Sequence, residues 1–179
     1  CIIPARGGSK RIPRKNIKIF CRQPIISWSI EAALNCSSFG RVIVSTDDDE
    51  IATVATEAGA IAIARPQELA SDTASSDEAL VHAIDEVELG DSVCVVMPQV
   101  TSPLRHASHI RAAIEVLEAG KVDSVFTANR IDDICVWELT PNLAPVTYDA
   151  TARKRRQENR GLVVENGSLY CSWARCIRE

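Results

Sequence analysis

The sequence predicts an α/β fold with a mainly parallel sheet and helices on both faces. Three observations carry this prediction. Short β-branched apolar runs alternate with segments of helical period. The run at 92–97 is apolar after its first residue, as a central parallel strand covered on both faces must be. The chain has 179 residues, 46% of them apolar, which suits one core of this kind and is too little for two ordinary domains.

The elements follow in order. Residues 1–5 form the first strand, and a basic glycine loop over 6–16 succeeds it. Pro24 opens a helix at its favoured first position, with Ile26, Ile30, Ala33 and Leu34 on the inner face. Residues 42–45 are the second strand. Thr46 or Asp47 caps the next helix, which turns Ile51, Val54, Ala55 and Ala58 inward and ends at Gly59. Residues 60–64 are the third strand. Ser75 or Ser76 caps a helix carrying Leu80, Ile84 and Val87. The strand at 92–97 leads to a fourth helix with Ile110, Ala113, Ile114 and Leu117 inward, ending near Gly120. Residues 124–128 are a fifth strand. Pro141, Asn142 and Pro145 then break the pattern, so 130–162 reads as an insertion or flap on a single domain spanning 1–179. Residues 162–173 read as one or two further strands.

Charge is unevenly spread. The net charge is −4, which taken alone argues against a dedicated nucleic-acid binder. Yet residues 1–30 hold Arg6, Lys10, Arg11, Arg14, Lys15, Lys18 and Arg22 with no acid, and 153–160 hold Arg153, Lys154, Arg155, Arg156 and Arg160 against Glu158. Twelve of the 20 cations therefore sit in two windows, and the remaining eight face 23 acids. An acidic chain that concentrates cations in two places is built to meet anionic ligands there.

The longest apolar stretch, 58–64, is far short of the roughly 20 residues of a membrane span. The seven cysteines are scattered, with no Cys-x-x-Cys pair. They read as reduced thiols of a cytoplasmic protein rather than as a disulfide or zinc framework. The chain opens inside a strand-like run without a methionine, and it is expected to be part of a longer protein.

The glycine loop carries the first chemical signal. Arg6-Gly7-Gly8-Ser9-Lys10-Arg11-Ile12-Pro13-Arg14-Lys15-Asn16 follows the first strand directly. Ligands of open α/β sheets bind at the carboxyl ends of strands. Gly7 and Gly8 let backbone N–H groups approach a phosphate; Ser9 adds a hydroxyl, and Arg6, Lys10 and Lys15 add charge. The loop is neither a P-loop nor a dinucleotide fingerprint, since both glycine spacings are absent. A polyphosphate is the natural guest.

Ile2-Ile3-Pro4-Ala5-Arg6-Gly7-Gly8-Ser9-Lys10 with Lys15-Asn16 resembles the opening motif of the CMP-sialic acid synthetases, the N-acylneuraminate cytidylyltransferases. Further blocks match in order: Val44-Ser45-Thr46-Asp47-Asp48; Arg65-Pro66-x-Glu68-Leu69-Ala70-Ser71-Asp72-Thr73-Ala74-Ser75-Ser76; and Gln99-Val100-Thr101-Ser102-Pro103-Leu104-Arg105. Arg155-Arg156-Gln157 with Glu165-Asn166-Gly167-Ser168-Leu169-Tyr170 resembles the family's sugar-side motif.

The resemblance implies a Rossmann-like nucleotide-diphospho-sugar transferase fold, a homodimer whose flap serves dimerisation, and Mg²⁺. It implies coupling of CTP to a nine-carbon sugar acid of the N-acetylneuraminate or KDN type, giving the CMP-sugar and pyrophosphate. By position, Arg6, Gly7, Gly8, Ser9, Lys10, Lys15 and Asn16 would hold the CTP phosphates and ribose, with Arg6, Lys10 and Lys15 as the catalytic cations. Arg65, Ala74 and Ser76 would hold the nucleotide, including cytosine. Gln99, Arg156, Gln157, Asn166 and Tyr170 would meet the sugar acid. Such chemistry needs in-line placement and neutralised charge, which two cationic windows supply.

The family's magnesium-binding Asp-x-Asp motif follows the Asn-Gly-x-x-Tyr strand. The metal ligands and the C-terminal part of the family domain are therefore expected beyond Glu179. Many members place a cation near Trp137 to meet the sugar carboxylate; here Ile134-Cys135-Val136 precede it, and Arg130 is the candidate substitute. Relatives that activate the eight-carbon acid KDO carry Gln-Gly-Asp-Glu-Pro where this chain has 99–103, which disfavours KDO. Legionaminate and pseudaminate stay open as acceptors.

Asp47-Asp48-Asp49-Glu50 reads as a helix start rather than a metal cluster. Residues 71–73 are either a plain capping turn or part of the nucleotide site. The 153–156 run reads as a substrate loop, with nuclear import or nucleic-acid contact as alternatives. His82, His106 and His109 pair with no nucleophile. The rival function is a catalytically silent nucleotide- or nucleic-acid-binding protein on the same fold.

Overall fold

The computed structural model describes residues 1–131, 135–139, 141–152, 155–158 and 161–179, the side chain of Arg156 excepted. The chain divides into two compact units, Cys1–Thr127 with Gly167–Glu179, and Ala128–Asn166.

In the first unit, β1 (Ile2–Pro4) leads through a short hairpin, β2 (Ile19–Phe20) and β3 (Gln23–Pro24), into α1 (Ile25–Leu34). There follow β4 (Ile43–Thr46), α2 (Asp49–Glu57), β5 (Ile61–Ala64), α3 (Ser76–Glu86), β6 (Cys94–Pro98) and α4 (Ala107–Glu118). The strand β7 (Ser124–Ile131) runs from this unit into the second, and β10 (Leu162–Trp173) returns, ending in α5 (Ala174–Arg178). Strands β1, β4 and β5 pair in parallel, with Ile2 opposite Ile43 and Ile43 opposite Ile61. β6 packs beside β1.

Alternation along the strands builds two cores. Ile3, Val44 and Val96 face Ile26 and Ile30 of α1, Ile51 and Ala55 of α2, and Ile110 and Leu117 of α4. Their neighbours Ile2, Ile43 and Val95 face Leu80 and Ile84 of α3 and Ala174 of α5. Helices on both faces of a largely parallel sheet are thus what the alternating pattern dictates.

Of the two readings of residues 162–173 the single strand holds, and it is antiparallel to β6, with Leu169 opposite Pro98 and Trp173 opposite Cys94. Other local expectations are corrected. Pro24 stands just before α1 rather than inside it, because its residue pairs with Ile19 in the hairpin. Leu34 is 44% exposed, since α1 ends there and the chain turns away.

The cap of α2 is neither Thr46 nor Asp47 but Asp48, whose side chain accepts the Ile51 N–H at 3.0 Å. β4 runs through Thr46, so the helix starts later than the acidic run suggests. Ser75 caps α3 in a reciprocal box with Glu78. All seven cysteines are free thiols; Cys94 and Cys171 approach to 3.5 Å across the β6–β10 pair.

Asp48 also pairs with both ends of the Arg14 guanidinium, and that hydrogen bonding holds its carboxyl below the ordinary range. A carboxyl pKa lower in the folded than in the unfolded state gives stability that is present above the unfolded pKa and is lost as pH falls through the folded one. Asp48→Ala is expected to cost about 1–2 kcal/mol at pH 7. In thermal melts the gap to the parent protein narrows as pH drops below 4, roughly the unfolded value.

The second unit contains a two-residue pair, β8 (Trp137–Glu138) with β9 (Ala144–Pro145). The Trp137 and Tyr148 rings meet edge to face at 5.9 Å. Asn166 donates to Asn129 Oδ1 at 3.1 Å.

Candidate functional site

The carboxyl ends of β1, β4, β5 and β6 each release a functional residue: Arg6, Asp47, Arg65 and Gln99. Arg6, Arg65 and Gln99, together with the segment before α3, line a cleft of about 300 Å³, which Lys15, Asn16, Ala74 and Ser76 also line; Asp47 is not part of that lining. Seven of the residues singled out from sequence (Arg6, Lys15, Asn16, Arg65, Ala74, Ser76 and Gln99) are therefore brought to one cavity from four stretches of chain.

The glycine loop is fastened at both ends. Asn16 is buried, and its amide donates to the Arg6 carbonyl at 2.9 Å. The Gly7 N–H donates to Asp47 Oδ1 at 3.0 Å. A Cβ on Gly7 would lie 2.6 Å from Asp48 Oδ2, so the loop packs on the start of α2 more closely than any side chain allows. Arg14, at φ 55°, pairs with Asp48 and Glu50 and ties the far side of the loop to α2. Gly8 has open space around its α-carbon.

Arg6 reaches the opposite wall. Its guanidinium donates to the carbonyls of Ala70 and Ser71 and pairs with Asp72 at 3.1 Å. Lys10 pairs with the same carboxylate. The Lys10 contact above all, and then Arg6, hold the Asp72 carboxyl below its ordinary range. Asp72 thus presents an anion to two cations of the loop. Ser71 Oγ accepts the Ala74 N–H at 3.1 Å, so 71–74 is a capping turn as well as a cleft wall.

Arg65 is the most informative residue. Its side chain is 5% exposed, and among the described residues its Nε and Nη2 have no hydrogen-bond partner. The nearest described carboxylate, Asp47, stands 3.9 Å away and is already bonded to Gly7. Burial pushes the Arg65 pKa down, Asp47 opposing and Arg6 adding to the shift. A buried guanidinium with orphan donors is costly unless a ligand satisfies it, and this one borders the cleft.

Gln99 lines the cleft, and its side-chain oxygen lies against Gly167, whose φ is +65°. Gly8, Ser9 and Lys10 are outside the cleft lining, with Lys10 mostly exposed. Tyr170 lies on β10 opposite Met97 and packs against the α3-side core. Arg130, Gln157 and Asn166 belong to the second unit. Arg153, Lys154, Arg160 and Ile134 lie outside the described residues, as does the side chain of Arg156.

Two residues beside the cleft were given no site role from sequence. Asp47 was legible as a cap candidate and as part of a matching block, and Arg105 only as the end of such a block. The signal for Arg105 was a lone cation closing an otherwise neutral stretch.

Among the described residues no group of three or more His, Cys, Asp or Glu is placed to hold a metal ion. Asp47 is bonded to Gly7, and Asp48 to Ile51 and Arg14. The described residues do not fit a magnesium site. Among them no helix is long and apolar enough to cross a membrane.

The profile of one family, described as "Cytidylyltransferase", matches residues 1–166. The chain belongs to the cytidylyltransferase family. It is 37% identical over 173 residues to the N-acylneuraminate cytidylyltransferase A of Danio rerio, covering 94% of this chain and 40% of the relative. To a pseudaminic acid cytidylyltransferase of Campylobacter jejuni it is 41% identical over 137 residues, covering 74% of this chain and 58% of the relative. The chain thus spans between about two fifths and three fifths of these relatives' lengths.

Among solved structures, a CMP:2-keto-3-deoxy-manno-octonic acid synthetase complexed with CTP superposes with a TM-score of 0.76 at 19% identity, covering 99% of this chain and 74% of that one. The 4-diphosphocytidyl-2C-methyl-D-erythritol synthase of Anaerococcus prevotii follows at 0.67 and 12%, covering 98% and 69%. These likenesses show that the chain shares the fold of these two solved structures.

Proposed function

We propose that the protein carrying this chain transfers cytidylyl from CTP to a nonulosonic acid of the N-acetylneuraminate or KDN type. The anomeric hydroxyl of the sugar attacks the α-phosphorus, the Pα–O–Pβ bond breaks, pyrophosphate leaves, and the hydroxyl proton is lost to solvent. The observation that carries this reading is Arg65: a buried cation with orphan donors borders a cleft whose rim bears the Arg6 and Lys15 cations.

The residues divide by charge. Arg6, Lys10 and Lys15, with the backbone of Gly7 and Gly8 and the Ser9 hydroxyl, take the triphosphate. Its oxygens replace the Asp72 carboxylate that Arg6 and Lys10 now hold. Asn16 keeps the loop in register through the Arg6 carbonyl. Arg65, Ala74 and Ser76 take the nucleoside side. Gln99, Arg156, Gln157, Asn166 and Tyr170 take the acceptor, for which a forked guanidinium at Arg156 suits a carboxylate.

Stabilising the charge on the transferring phosphate needs fixed cations rather than a covalent intermediate. The relatives named for N-acylneuraminate and pseudaminic acid support a nine-carbon acid as acceptor. A Mg²⁺ requirement, a homodimer and a cytoplasmic location belong to the same reading.

The test is pyrophosphate release by the full-length protein with CTP, Mg²⁺ and each acid in turn: N-acetylneuraminate, KDN, legionaminate, pseudaminate and KDO. Release with the first two is the expected result, and release with none refutes the proposal. In the same assay Arg6→Ala raises the KM for CTP, whereas Arg156→Ala raises that for the sugar acid. Salt-sensitive binding of nucleic acid without turnover would instead support the silent relative.

A further inference from the structure

Arg105 is 6% exposed and lies in the loop between β6 and α4, behind the wall of the cleft. Among the described residues its guanidinium makes only neutral contacts. Nη2 donates to the Gln99 carbonyl at 2.7 Å, Nη2 and Nε both donate to the Ser168 carbonyl, and Nη1 donates to Ser29 Oγ of α1 at 3.3 Å. Among the described residues no carboxylate pairs with it, and burial lowers its pKa to about 10. A buried, uncompensated cation is an expensive way to fill space, and an aliphatic side chain would do that better.

The purchase of this arrangement is geometric. The Gln99 N–H also donates to the Ser168 carbonyl, at 3.0 Å. Main chain and guanidinium therefore converge on one oxygen, fixing the turn after β6 against β10. On that platform the Gln99 carboxamide oxygen sits where a Cβ on Gly167 would come within 3.0 Å. Only a planar fork can reach two carbonyls and a hydroxyl at once; the single point charge of lysine cannot.

We infer that Arg105 is a positioning residue for the acceptor. It never touches the ligand, but it holds the Gln99 carboxamide at the angle from which it meets the sugar acid. The inference rests on the acceptor role given to Gln99 above. It also explains why the Gln-Val-Thr-Ser-Pro-Leu stretch ends in arginine.

The experiment is a double-mutant cycle on the full-length protein with saturating CTP and varied N-acetylneuraminate. Arg105→Lys keeps the charge and loses the fork, and Arg105→Met keeps the bulk and loses both. Each is expected to raise the KM for the sugar acid at least tenfold while the KM for CTP stays within twofold. In a Gln99→Ala background Arg105→Lys is expected to add less than twofold, because its route to the substrate is gone.

Equal rises for CTP and sugar acid, or an undiminished Arg105→Lys effect in the Gln99→Ala background, overturn the inference. Should both Arg105 variants fail to fold, the calorimetric affinity of Gly167→Ala for the sugar acid decides: a fall below half the parent value is expected, and an unchanged value refutes the positioning. Absence of product from the parent protein with any acid overturns the transferase reading itself, and this inference with it.

Discussion

Arg65→Met is expected to weaken CTP binding about 100-fold while leaving the melting temperature unchanged or raised. Both signs follow from one arrangement. The guanidinium is buried and, among the described residues, its Nε and Nη2 lack partners and its only nearby carboxylate is 3.9 Å away and engaged with Gly7. Replacing a poorly compensated buried charge by an apolar side chain of similar length is often neutral or stabilising. In the complex, however, the two orphan donors gain charge-assisted hydrogen bonds of about 1.5 kcal/mol each, and losing both is about a hundredfold in affinity. Calorimetric titration with CTP, alongside thermal melts, reads the two effects separately. A variant that melts far lower yet binds CTP as the parent does would show Arg65 to be a structural cation only.

Gly7→Ala carries the second large effect, and here stability and binding fall together. The added Cβ would stand 2.6 Å from Asp48 Oδ2 and 3.0 Å from Asp48 Cβ. Asp48 cannot swing aside cheaply, because it caps α2 through Ile51 and grips Arg14. Overpacking of this kind costs about 1–3 kcal/mol. The displaced loop also loses the Gly7–Asp47 bond that aims its N–H groups. A drop in melting temperature with at least a tenfold loss of CTP affinity is expected. The double variant Gly7→Ala/Asp48→Ala should recover part of the affinity by removing the obstructing carboxylate, and no recovery would place the defect elsewhere in the loop. A Cβ on Gly8 meets open space, so alanine there leaves the melting temperature unchanged.

Much of this was legible from residue order. The glycine loop after the first strand was legible as a phosphate site from its own glycines and cations, whereas Arg65 after β5 and Gln99 after β6 were singled out only through the family resemblance. The two-faced core was legible from apolar periodicity: Ile2 and Ile3, or Val95 and Val96, must point to opposite sides of a strand.

Other features were not. The choice among Thr46, Asp47 and Asp48 as helix cap turns on where β4 stops pairing, and that depends on β5 and not on the local run of acids. The antiparallel insertion of β10 beside β6 joins residues more than 70 positions apart, and no local pattern reports strand direction.

By itself, then, the sequence determined an α/β chain with cations gathered at a strand end, since charge and hydrophobic period are properties of residues in order. Tertiary structure alone decided which charges are satisfied. Asp72 is shared between Arg6 and Lys10, Asp47 is drawn off by Gly7, Arg65 is left with orphan donors, and Arg105 is buried among carbonyls. The physical reason is that the cost of a charge depends on its dielectric surroundings and on the distance to its partners, and both exist only once distant segments are packed together.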